Sequence, residues 1–168
     1  MGNKVIFNST LRTAEYYLGE TGPIKIELNQ VLAIGEFTTS AGPASDDYCL
    51  YLITPVFWHA IPMDADGMEA FVKWLEVEFN TDLKTALANS VIENSRMMYP
   101  EQLREKEFLQ FVDYQPKNWF DNLKVRLGLK PDKIFKLHPE VNEILVKMIE
   151  RERDSDQEKL IMKFTPHK

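Results

Sequence analysis

The sequence predicts an α+β fold: an N-terminal antiparallel β meander of about four to five strands followed by packed amphipathic helices. Three observations predict it. β-branched and aromatic residues cluster in short runs before residue 64. Gly, Pro, Asn and Asp punctuate those runs, as they do between strands of a meander. After residue 64, apolar residues recur at the helical period instead. The 168 residues are read as one domain, β-rich over 1–64 and helical over 65–168.

Taken in order, "KVIFNS" near the start reads as an added strand, and residues 10–18 read as a short helix. In "IKIELNQVLAIGEFTT", Ile24, Ile26 and Leu28 alternate with Lys25, Glu27 and Asn29. That alternation gives a strand one apolar and one wet face. Residues 31–39 continue it or form the next strand. "SAGPASDD" interrupts with turn formers. "YCLYLIT" follows as a strand apolar on both faces, and after Pro55 "VFWHAI" reads as another.

The period then changes. Met68, Phe71, Val72, Leu75 and Phe79 fall on one helical stripe. "TDLKTALANSVIENS" is helical by propensity, and Pro100 suits the first turn of a further short helix. "KNWFDNLKVRLGLKP" carries helix punctuation, with Asn118 as cap, Gly128 as stop and Pro131 beyond it. The last helix is "HPEVNEILVKMIERERD", opened by Pro139, with Val141, Ile144, Leu145 and Met148 as its stripe and Glu143–Lys147 as an i, i+4 pair. "LIMKF" after it reads as a short strand or a helical tail.

Composition bounds the function. With 44% hydrophobic and 27% charged residues the chain is of ordinary globular type. A chain of this size buries about 68–70% of its unfolded surface, so it needs no disulfide or metal to hold a core. One cysteine, Cys49, allows no internal disulfide and suits a reducing compartment. No apolar run reaches the eighteen or so residues a membrane span needs. "MGNKVIFNST" lacks the pattern of a secretory signal, and Ile6 stands where a myristoylation motif wants Ser or Thr. The expected location is the cytoplasm. The net charge of −6 argues against broad attraction to a polyanion.

There is no phosphate-binding G-x-x-x-x-G-K or G-x-G-x-x-G, and no G-x-S-x-G elbow. The three histidines, His59, His138 and His167, are far apart, and one cysteine supplies no paired thiolates, so no metal or other cofactor is implied. "VFWHAIPMDADG" sets His59 beside two aspartates. The plainer reading makes His59 a half-buried strand residue and Asp64 or Asp66 the cap of the next helix. A calcium loop fails because Gly67 is fourth from Asp64, where the sixth position is needed. Cys49 reads as core packing.

The leading expectation is a non-enzymatic, bacterial-type protein-interaction module, immunity- or chaperone-like, that contacts another protein through an acidic face holding Asp46 and Asp47. A second reading is an enzyme with a site near His59. A third is nucleic-acid binding through 117–136. There Lys117, Lys124, Arg126 and Lys130, with Lys133 and Lys136, alternate with Trp119, Phe120 and Phe135. A homodimer is also expected, because "YCLYLIT" needs cover on both faces.

Overall fold

The structure, a computed structural model, describes residues 2–19, 22–39, 48–88, 90, 92–115, 119 and 133–164. Three antiparallel sheets form from these residues. β1 (Lys4–Asn8), β2 (Thr13–Tyr17) and β3 (Ile24–Glu27) make the first, in that order. The second combines β4 (Ala33–Thr38), β5 (Cys49–Ile53), β6 (Trp58–Pro62) and β7 (Asn94–Tyr99) in the order β6-β5-β4-β7. β8 (Leu109–Asp113) pairs with β9 (Lys133–Leu137) as the third. The helices are α1 (Met68–Glu78) and α2 (Pro139–Phe164), with short 3-10 turns at Leu28–Gln30 and Glu101–Leu103.

The expected meander followed by packed helices is therefore overturned, although a mixture of strands and helices remains. Strand content is not confined to the first 64 residues, since β7, β8 and β9 all follow α1. Residues 10–18 are not a helix. Ala14 and Tyr16 of β2 point inward between Phe7–Ile26 and Val5–Ile24, an alternation that suits a strand and not a helical stripe. Residues 81–88 are not helical either, because backbone donors of this stretch are taken by side chains of other elements. Glu76 accepts from Leu83 N at 3.0 Å, and Glu36 accepts from Ala86 N. "NSRMMY" joins the central sheet as β7, paired with β4 across a bulge between Ile34 and Gly35. The proposed helix from Asn118 to Gly128 lies outside the described residues, Trp119 apart, which is helical and exposed. "LIMKF" continues α2 as helix.

The four-stranded sheet is the middle layer. On one side, Ile34, Leu50, Leu52 and Ile61 pack with Val5, Tyr16 and Ile26 of the first sheet and Met68, Phe71 and Leu75 of α1. On the other, Ala33, Phe37, Ile53 and Met97 pack with Leu103, Phe108, and Val141 and Leu145 of α2. Both faces of "YCLYLIT" are thus covered by the chain itself, so β5 supplies no reason for a second subunit.

Two glycines make these contacts possible. At Gly35 a Cβ would sit 2.7 Å from Cε1 of Phe108, so the bare backbone lets that ring lie on the sheet. Gly67 has φ +85° and precedes α1, with Val5 O only 2.7 Å from where a Cβ would be.

Candidate interaction site

The β5–β6 connection is a tight turn. Thr54 N donates to Phe57 O at 2.9 Å, which leaves Pro55 and Val56 as the two central residues. Pro55 presets its own φ near that of a turn's second position. Val56 is not among the residues with positive φ, so the turn lacks the mirror-image geometry that best fits hairpin twist. The Thr54 side chain adds what the backbone lacks. Its Oγ1 donates to Phe57 O at 2.9 Å and accepts from Phe57 N at 3.0 Å. Thr54 itself is buried.

This lock holds four consecutive apolar residues in water. Pro55 is exposed, and Val56, Phe57 and Trp58 are 74%, 64% and 39% exposed. Single exposed hydrophobes are normal on a protein surface, but a contiguous group marks contact with something else. The group is anchored from below. The Trp58 ring lies 6.4 Å from that of Phe108, and the Phe57 ring 6.2 Å from that of His59. By sequence "VFWHAI" reads as strand from end to end, and only the position of the turn directs Val56 and Phe57 outward. A Pro followed by three large apolar residues between two strands is the signal available.

His59 is buried at 9% exposure, with its ring edge-on to Tyr16 at 6.2 Å. Burial holds its imidazole below the usual pKa, so the neutral ring is favoured. Three surface grooves, one of them of about 410 Å³ and lined by Gly2, Asn3, Lys4, Tyr17, Gly19 and Asp66, do not include His59. The aspartates are not brought to it and do not cap α1, whose N-cap is Gly67 without a side-chain bond. Asp66 instead ties β1 by its backbone, accepting from Val5 N and donating to Asn3 O. Its neighbour Asp64 is exposed. Cys49 is half-buried at the start of β5. His138 is half-buried and donates its backbone N–H to Phe108 O, while its own carbonyl receives Asn142 N at the start of α2. Among the described residues no three His, Cys, Asp or Glu side chains gather as a metal site.

Asp46 and Asp47 lie outside the described residues, as do Lys117, Lys124, Arg126, Lys130 and His167. Of the basic stretch, Lys133 and Lys136 fall in β9, where Lys136 is exposed. No helix among the described residues is long and apolar enough to cross a membrane.

One polar cluster escapes sequence reading. Glu36 of β4 is fully buried, yet every side of its carboxylate is engaged. Tyr48 donates to Oε2 at 2.5 Å, Arg96 Nε donates to Oε1 at 2.8 Å, and Ala86 N and Leu87 N donate from the 81–88 stretch. Arg96 reaches on to Glu105 at 2.8 Å and to the Lys84 carbonyl. Burial, then the Glu36 hydrogen bond and charge, push the Tyr48 phenol above its ordinary pKa. The carboxylate has no solvent access, and both its oxygens are taken by these donors. It clasps three segments together. No family model, no curated protein and no solved structure matches this chain.

Proposed function

We propose that the chain is a non-enzymatic protein-interaction module that docks another protein through the β5–β6 turn, Pro55–Trp58. The observation that carries this reading is the exposure of four successive apolar residues on a turn locked from beneath by Thr54. A rigid aromatic anchor loses little conformational entropy on binding, and aromatic residues dominate the energetics of interfaces. A projecting turn fits a concave apolar pocket on its partner. The packing of the His59 ring against Tyr16 and Phe57, and its absence from the three grooves above, give no support to the reading of His59 as a catalytic base. The acidic residues Asp46 and Asp47 remain a further contribution to test by substitution.

A photo-crosslinking amino acid placed at position 56 in living cells tests the proposal, with the same group at Val77 as control. Val77 is a comparably exposed apolar residue on α1. A discrete protein adduct from position 56 and none from position 77 is expected. No adduct, or the same adducts from both positions, overturns the reading.

A further inference from the structure

The two edges of the central sheet are unequal. At one end β7 is covered: Met97 N donates to Lys106 O at 2.8 Å, Met97 O accepts from Glu105 N at 2.9 Å, and Ser95 Oγ accepts from Phe108 N and Leu109 N. At the other end β6 pairs with β5 alone among the described residues. Backbone bonds from Thr54 N to Phe57 O and from Met63 N to Tyr48 O fix the phase of that pairing. Bonds alternate along an antiparallel pair, so Phe57, His59, Ile61 and Met63 bond to β5, while Trp58 and Ala60 direct their backbone groups outward. Neither outward N–H has a hydrogen-bond partner among the described residues. Pro62 has no N–H to offer, which ends the open stretch.

This edge is complementary to itself. About a two-fold axis at His59, Trp58 of one copy lies opposite Ala60 of the other, twice, and all four outward N–H groups meet carbonyls. An axis at Ala60 instead sets Trp58 against Pro62, which has no donor. Cross-strand pairs share a face, so in the His59 register each indole lies beside a small Ala60 side chain on the Phe108 side of the sheet. On the other face Phe57 falls opposite Ile61 and diagonal to Met63 of the second copy, within reach of an aromatic ring. Met63 lines a surface groove of about 640 Å³ with Ala65, Met68, Ala70, Asp66, Glu69 and Lys73. The register that joins the edges therefore also brings the exposed Phe57 to a groove of the same second copy. An edge reserved for a different protein has to be guarded against its own kind, by charge or by a bulge. The open part of β6 carries Trp58 and Ala60, has no charged side chain, and pairs with β5 without a bulge.

We propose that two copies of this chain pair antiparallel through β6, about a two-fold axis at His59, and that the turn of each lies against the Met63 end of the other's groove. This rests on the docking reading of the Pro55–Trp58 turn and names its partner as a second copy. One contact then satisfies the outward backbone groups of Trp58 and Ala60 and covers the apolar residues beside them.

Sedimentation of the purified native protein should show a monomer–dimer equilibrium, and the Trp58 and Ala60 amides should exchange more slowly as protein concentration rises. Ala60→Pro removes one outward N–H from each copy without breaking the β5–β6 ladder and should weaken the dimer about tenfold. Disulfide trapping reads the register. Residues facing each other in a non-hydrogen-bonded pair have Cα atoms about 4.5 Å apart, within the span of a disulfide. The Cys49→Ala, His59→Cys variant should therefore oxidise to a covalent dimer. Cys49→Ala, Ile61→Cys should not, because its two cysteines stand roughly 13 Å apart along the strands. Should these variants fold poorly, the concentration dependence of the two amides in the native protein decides. A chain that stays monomeric up to its solubility limit, a dimer with unprotected Trp58 and Ala60 amides, or equal trapping at 59 and 61 overturns the proposal. The crosslink from position 56 separates it from the docking reading. An adduct of twice the chain mass, joined near Met63, supports the second copy, whereas adducts to a different protein alone overturn it and leave the docking of the turn standing.

Discussion

Glu36 gathers donors from three other segments of the chain. In sequence it sits in "AIGEFT", where a glutamate between apolar residues reads as the wet side of a strand. Its counter-ion Arg96 is 60 residues away, so no local pattern announces the pair. The reverse holds for His59. Its place in "VFWHAI" is enough to expect a partly buried strand residue, and it lies in β6 more deeply buried than that, at 9% exposure. Two predictions belong at this scale. Glu36→Ala takes the buried acceptor from Tyr48, from two backbone donors and from one side of Arg96, so it should cost about 3–5 kcal/mol in urea unfolding, as breaking a buried pair does. His59 is held neutral by burial, with its folded pKa below the unfolded value. A group depressed in this way contributes stability that is present above the unfolded value, about 6.5, and is lost as pH falls below it. Unfolding midpoints measured between pH 7.5 and 5.5 should decline in the native protein and decline less in His59→Asn.

Elements with a strong period are legible in the sequence, and elements made by pairing are not. The stripe of α1 and the stripe of α2 pack as the spacing implies, with Met68, Phe71, Leu75, Val141 and Leu145 buried. The alternation of Ile24 and Ile26 is half obeyed, since Ile26 is buried and Ile24 stays at the rim. β7 is hidden because Asn94–Tyr99 has weak strand propensity and becomes a strand through its partner β4. "TDLKTALANS" misleads because tertiary hydrogen bonds to Glu36 and Glu76 outweigh helix propensity, a weak prior. The turn at Thr54 yields the prediction at this scale. Thr54→Val keeps the shape but removes both side-chain bonds to Phe57. At roughly 1 kcal/mol per net hydrogen bond, it should destabilise by about 1–2 kcal/mol in urea unfolding. It should also raise the amide exchange rate of Phe57. An unchanged Phe57 exchange rate would show that the backbone alone holds the turn.

For the whole molecule, the sequence tells the amount of apolar surface but not its arrangement. A strand apolar on both faces, as "YCLYLIT" is, can be a buried middle layer or half of a subunit contact. The first holds here, since the first sheet and α1 cover one face while Phe108 and α2 cover the other. Among the described residues, four successive apolar residues stay uncovered at the turn Pro55–Trp58. The interaction reading stands on that remainder. Its most direct test is capture of the position-56 crosslinked protein by the native chain and by a Val56→Asp, Phe57→Asp double variant, with Val77→Asp as control. Exposed substitutions shift stability by about 0.5 kcal/mol or less, so all three should melt together. Loss of the partner from the double variant, with retention by Val77→Asp, is the predicted result. Undiminished capture by a folded double variant would contradict it.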